Sequence, residues 1–254
     1  MSKARIKIAD PGEQVDPSDL STEEILNSTA NIYNPSDYDS IVETFNPKDD
    51  KNTDLWGSFE PTRYQYEWIK HFTQRGPDGQ FLKNLEGVAV CHRRFGKSVG
   101  VLKGIFLQWM MEQRGLYLHA FPSLTQGRTA IWNGIGKTTR NPEEQAINYL
   151  ELFPRELWKK KNNHAMSLEL KNGSIYQIVG VRGTDGTANH LRGLNPMGLV
   201  ADEFGDWHAN VIDEIFAPIF AQNGGFCFKV GTPKGENHFF EEYLYAKRKM
   251  EEGV

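Results

Sequence analysis

The chain has 254 residues, 39% of them hydrophobic, 12% aromatic and 24% charged, a balance that excludes a disordered chain, a collagen-like repeat and a disulfide miniprotein. Its formal net charge of -4 means that it does not hold nucleic acid by bulk positive charge. The two cysteines, Cys91 and Cys227, lack metal-ligand spacing and fit a reduced, cytosolic setting, and no run approaches the ~18 apolar residues of a membrane span.

Charge is unevenly distributed. Residues 1–58 carry 5 Lys and Arg against 12 Asp and Glu, whereas 59–254 carry 24 against 21. The first segment is also poor in large apolar side chains. Two short helices are expected in it, one opened by Ser21-Thr22-Glu23-Glu24 at capping-box spacing and one by Ser36 to Asp39. Neither buries much surface alone, so 1–58 reads as an acidic, partly disordered or short-helical arm that orders on a partner or on the body.

From Phe59 onward, short apolar runs alternate with helix-length segments. A helix is expected over Tyr66–Phe72, preceded by Pro61-Thr62-Arg63-Tyr64-Gln65. Val88–Cys91, Leu116–Phe121, Met197–Ala201 and Phe226–Gly231 read as buried strands. Lys97–Gln113, Leu124–Lys137 and His208–Gln222 carry apolar residues at helical spacing. This alternation predicts an α/β fold with a mostly parallel sheet and helices on both faces. Ser167–Leu170 and Ile175–Ile178, joined through Asn172-Gly173, predict an antiparallel hairpin near 165–180.

The segment Cys91-His92-Arg93-Arg94-Phe95-Gly96-Lys97-Ser98 follows a predicted strand and opens a predicted helix. A P-loop needs that context, because its backbone N–H groups wrap phosphates while the helix N-terminus adds positive potential. In that reading Lys97 reaches the β- and γ-phosphates of ATP and the Ser98 hydroxyl ligates Mg²⁺. Cys91 stands where the motif has glycine, which makes a left-handed turn at that residue less secure.

A second apolar strand ends in Asp202-Glu203. Asp202 takes the metal role there, and Glu203 orients a water and accepts its proton. Adjacent strand residues point to opposite sides, so the turn after Ala201 must re-aim one of the two. Upstream, Gln65 can both donate to and accept from an adenine edge, and Arg63 or Tyr64 can stack on a base.

These residues together resemble the ATPase domain of bacteriophage terminase large subunits, the motors that package DNA. The resemblance runs through Arg93-Arg94-Phe95-Gly96-Lys97-Ser98, Phe121-Pro122-Ser123-Leu124-Thr125-Gln126 with Trp132, Asn172-Gly173-Ser174, Leu191-Arg192-Gly193, Val200-Ala201-Asp202-Glu203 and Gly231-Thr232-Pro233-Lys234-Gly235, in that order over most of 59–254. It implies a RecA-like P-loop NTPase of the additional-strand, catalytic-glutamate type, with a strand between the P-loop and the catalytic carboxylate. It also implies that Gln65 serves adenine and that Gly231-Thr232-Pro233 couples the γ-phosphate to motion. Arg192 looks like an arginine finger offered to a neighbouring subunit, with Arg93 or Arg94 as an alternative acting in cis and a salt bridge to the Asp-Glu strand as the bland reading of Arg192.

The implied partners are double-stranded DNA, a homo-oligomeric ring (a pentamer in the family), a portal protein and a small terminase subunit, with no membrane. The implied location is the host cytoplasm, transiently at the procapsid vertex. DNA contact is expected to be local and to backbone phosphates, through Arg128, Lys137, Arg140 or the run Lys159-Lys160-Lys161 on a helix end. The family's nuclease domain needs a second acidic cluster on a fresh strand, which the chain lacks, so no cutting activity is expected from it. The rival readings are a helicase-like translocase core, which needs a second RecA-like domain, and a scaffold that only clamps on ATP.

Overall fold

The computed structural model describes residues 59, 61–93, 95–137, 145–182 and 188–252. The expectations for the acidic arm and for Arg94 and Arg140 lie outside the described residues.

Helix α1 (Arg63–Phe72) begins where Thr62 and Gln65 close a reciprocal capping box, satisfying two helix-end donors at once. It leads through a loop pinned by the antiparallel bridge Arg75–Phe81 to β1 (Leu85–Val90). Helix α2 (97–112) is continuous, built of Lys97–Val99, a wider π-helical stretch Gly100–Phe106 and an α-helical end Leu107–Glu112. Then follow β2 (Leu116–Phe121) and α3 (124–132), which Ser123 opens with a second capping box to Gln126. The helix predicted to reach Lys137 ends at Trp132, because Gly134 bends the chain into β3 (Ile135–Gly136), which pairs with β4 (Ile147–Asn148).

Three strands come next: β5 (Trp158–Asn162), β6 (Ser167–Leu170) and β7 (Ile175–Gly180). The predicted hairpin is β6–β7, antiparallel, with Gly173 at φ +86° in its turn. The lysine run was expected on a helix end and instead forms exposed β5, the antiparallel edge of the sheet. Lysines there obstruct edge-to-edge pairing with other chains. The described chain closes with β8 (Pro196–Asp202), α4 (212–223), β9 (Phe226–Gly231) and α5 (His238–Glu251).

The main sheet has seven strands in the order β1-β9-β8-β2-β7-β6-β5. Pairings from β1 through β7 are parallel, and β6 and β5 add on antiparallel. The fold is thus α/β and mostly parallel, with the hairpin continuing the sheet. Strand β9 lies between β1, which leads into the P-loop, and β8, which ends in Asp202. This is the inserted strand of the additional-strand class.

Two apolar layers cover the sheet. On one face Phe106 and Trp109 of α2 pack with Tyr117, Phe121, Tyr176, Phe226 and Phe228 of the strands. On the other, Ile215 and Phe216 of α4 and Phe239 of α5 pack with Phe204 and with Leu118, Ala120, Leu199 and Ala201 of the strands. Alternate residues of β2 and β8 divide between the layers, as the two-residue period of a strand requires. Gly100 and Gly104 let α1 press closely on α2, since a Cβ at either would lie 2.9 Å from Gln65 or 2.3 Å from Ile69.

Candidate nucleotide site

The loop after β1, the Asp202-Glu203 turn after β8 and Gly231 at the end of β9 all lie at the C-terminal ends of parallel strands, where ligands bind in open α/β sheets. The Cys91 N–H donates to the Gly231 carbonyl at 2.9 Å, so the P-loop leaves β1 still tied to β9. Cys91 does not take a left-handed conformation; that role falls to Gly96, at φ +86°, immediately before α2. The Cys91 thiol is buried and pushed up to about 12 by that burial. It is an inert packing group rather than a nucleophile.

Gln65 sits against this loop. Its Nε2 donates to the Gly96 carbonyl at 2.7 Å and its Oε1 accepts from the Thr62 N–H at 2.8 Å. Both ends of the amide therefore bind backbone, and the residue is buried. Tyr64 and Trp68 flank the Phe95 ring at centroid distances of 5.0 and 5.7 Å, which anchors α1 to the loop. Arg63 is half-buried on the first turn of α1, and His92 and Arg93 are exposed at the loop tip.

The Lys97 ammonium lies 3.2 Å from Asp202 Oδ1 and 2.9 Å from Glu203 Oε1. Burial alone pulls the Lys97 ammonium down, but the Asp202 and Glu203 charges outweigh it and hold it above its usual value. Burial likewise pushes the Asp202 carboxyl up, and His119, Lys97 and the Glu203 N–H together overcome this and keep it low. The two acids face one cation because Asp202 ends β8 and Glu203 turns into the left-handed region, φ 50° and ψ 45°. A non-glycine residue there is strained. The re-aiming that the strand geometry demanded is thus carried by Glu203 itself.

The strained turn is clasped from behind. The Gly231 Cα lies so close that a Cβ would stand 3.1 Å from the Phe204 nitrogen and 3.4 Å from the Glu203 Cα. Lys234 pairs with Asp206, Asn237 Nδ2 donates to the Gly205 carbonyl at 3.3 Å, and His238 Nε2 lies 3.0 Å from the Phe204 carbonyl. Gly231 accordingly touches both the loop after β1 and the Glu203 turn.

Ser98 is half-buried at the start of α2. A hydroxyl and carboxylates are hard oxygen donors that suit Mg²⁺, and the Lys97 ammonium already rests on Asp202 and Glu203 as a cation. The residues present therefore fit the metal. Arg192 is exposed: its Nε donates to Asn189 Oδ1 at 2.9 Å and its guanidinium lies 3.7 Å from the Glu214 carboxylate. It makes no salt bridge to Asp202 or Glu203. Arg128 is half-buried, while Lys137 and Lys159 to Lys161 are exposed.

Sequence reasoning missed His119 and Tyr176, which stand behind Asp202, and Lys229, buried on β9 against Glu242 at 2.9 Å. The available signal was a single histidine or lysine interrupting an apolar strand, as in Leu118-His119-Ala120 and Phe228-Lys229-Val230.

No protein-family model and no curated protein matches the sequence. Solved structures do. The ATPase domain of the Thermus phage P74-26 large terminase superposes with a TM-score of 0.53 at 20% identity, over 78% of this chain and 74% of that one. A point mutant of that domain gives 0.56 at 16% identity, over 78% and 74%. The large terminase of a thermophilic bacteriophage gives 0.50 at 15% identity over 76% of this chain, which spans only 44% of that protein. Among the described residues no helix is long and apolar enough to cross a membrane. At these identities the shared property is the architecture: the chain has the fold of phage large-terminase ATPase domains.

Proposed function

We propose that this chain is the ATP-hydrolysing motor domain of a viral terminase large subunit, which drives double-stranded DNA into a procapsid. The observation that carries the reading is the convergence of Lys97 with Asp202 and Glu203 within 3.2 Å, beside a helix N-terminus preceded by left-handed Gly96. Such a site accepts a triphosphate in place of the ion pair. Lys97 exchanges the carboxylates for the β- and γ-phosphates, the α2 N-terminus and loop amides neutralise phosphate charge, and Ser98 and Asp202 hold Mg²⁺. The metal, when bound, neutralises charge developing on the phosphates. Glu203, released from Lys97, orients a water in line with the γ-phosphate and accepts its proton.

Arg192 is exposed and contacts Asn189 and Glu214 rather than Asp202 or Glu203, which favours the assignment of the finger to a neighbouring subunit. A missing finger typically costs ~10³–10⁵ in rate, so an isolated subunit hydrolyses ATP slowly. Gly231-Thr232-Pro233, whose glycine touches both the loop and the catalytic turn, transmits the presence of the γ-phosphate. DNA is held through backbone phosphates by exposed lysines, with affinity falling steeply as salt rises.

The test is nucleotide binding and phosphate release by the purified chain. Lys97→Ala loses ATP binding, whereas Glu203→Gln binds ATP and loses turnover by at least ~10²-fold. Hydrolysis by Glu203→Gln at the wild-type rate would remove the catalytic assignment.

A further inference from the structure

We propose that His119 is a positioning residue for the Asp202 carboxylate, itself held by Tyr176, and that this relay fixes the metal-binding oxygen when Lys97 departs. The inference rests on the reading of Asp202 as a magnesium ligand.

His119 lies mid-way along β2, fully buried, on the strand next to β8. Its ring is wedged against Phe121 and Phe106, at centroid distances of 4.6 and 5.6 Å. A plain core position in this apolar run calls for a hydrophobe, yet the imidazole has a polar group at each end. Nδ1 is 2.9 Å from the Tyr176 hydroxyl, also fully buried. Nε2 lies 3.5 Å from Asp202 Oδ2 and has no hydrogen-bond partner. Buried polar atoms are almost always satisfied, so an imidazole N–H left beside a single carboxylate marks a contact that tightens when the carboxylate shifts.

In the proposed tautomer Nδ1 accepts from Tyr176. A Tyr176 hydroxyl that donates to Nδ1 leaves the ring proton on Nε2, facing Asp202. The two carboxylate oxygens then have separate partners. Oδ1 faces Lys97 at 3.2 Å and accepts the Glu203 N–H at 2.8 Å, while Oδ2 faces His119. If Lys97 moved to a triphosphate, Asp202 would be left free to hold the metal, and the His119 imidazole beside Oδ2 would limit rotation of the carboxylate. Groups behind a metal ligand that fix its orientation are typically worth ~10–100-fold in metal affinity.

The experiment follows a fluorescent ATP analogue bound to the purified chain, first in EDTA and then across a Mg²⁺ titration. His119→Leu is expected to raise the Mg²⁺ midpoint about tenfold while binding in EDTA stays unchanged. His119→Gln keeps an N–H donor toward Asp202 and restores most of the shift. Tyr176→Phe moves the midpoint in the same direction by less. An unchanged midpoint in His119→Leu and Tyr176→Phe overturns the proposal, as does a loss of affinity equal with and without Mg²⁺, which denotes a packing role. If His119→Leu does not melt cooperatively, Tyr176→Phe, which removes one oxygen, decides alone by the same two outcomes. Wild-type chain that binds no nucleotide even with Mg²⁺ overturns the nucleotide-site reading and this proposal with it. Wild type that binds while the variants match it overturns the His119 assignment only.

Discussion

Strain and close approach meet at two residues of the site. Glu203 holds a left-handed conformation that costs a non-glycine residue about 1–2 kcal/mol, offset by its ion pair to Lys97 and by the clasp of Lys234, Asn237 and His238 on the turn. Gly96 takes the same kind of conformation, and a Cβ there would stand 2.7 Å from Gln65 Nε2. Gly96→Ala is therefore expected to destabilise by more than the ~1–2 kcal/mol of backbone strain, because it also displaces Gln65 from the loop. Gly79, at φ +76° with nothing within 4 Å, is the control: Gly79→Ala meets strain alone. Thermal melting of the two variants should rank Gly96→Ala as clearly the worse. Gln65→Ala should cost about 1–2 kcal/mol through the lost capping box and the lost tie to Gly96. If Gln65 also reads adenine, its loss should narrow the preference of the site for ATP over GTP; an unchanged ratio with weaker binding of both would assign it to the loop alone.

Helix α5 is fastened to the sheet by a charge as well as by Phe239. Lys229 is buried on β9, 2.9 Å from Glu242 of α5 and 3.8 Å from Glu86 of β1. Burial pulls the Lys229 ammonium down, and the Glu242 and Glu86 carboxylates outweigh it, leaving it above its usual value. A folded-state value above the unfolded one stabilises fully at pH below the unfolded lysine value, near 10.4. That contribution disappears as pH rises through the folded value. The melting temperature of wild type should thus lose an increment above about pH 10.5 that Lys229→Met does not lose. Because Glu242 is a third exposed, Glu242→Gln at neutral pH should cost only about 1–2 kcal/mol. The double replacement Lys229→Met with Glu242→Leu should recover most of it, since a buried pair replaced by well-packed apolar groups is often neutral. The same element scale explains the hairpin and the lysine strand. Asn172-Gly173 announced the turn locally, whereas the run at 159–161 has no period of its own and took strand form only through β6.

At the scale of the molecule, the sheet order brings two segments more than a hundred residues apart in sequence onto one cation. Arg192 is exposed and held by Asn189 and Glu214, and its proposed partner is another subunit's nucleotide. Mixing Arg192→Ala chains with Glu203→Gln chains, each inactive in assemblies of one kind, should restore part of the DNA-stimulated ATPase rate. No recovery at any ratio, with assembly verified by sedimentation, would assign Arg192 to its contacts with Asn189 and Glu214.

Local signals were enough to define the class of fold and the core of the candidate site. Alternating strands and helices, Gly96-Lys97-Ser98 after an apolar run, and Asp202-Glu203 at the end of another all depend on contacts within a few residues. Tertiary structure decided what those letters could not encode. It placed β9 between β1 and β8, turned Glu203 rather than Asp202 out of the strand, engaged both ends of Gln65 with backbone, and set His119 and Tyr176 behind Asp202. The physical reason is that strand order and buried polar pairing join residues distant along the chain, and no short stretch of sequence carries the identity of its partner.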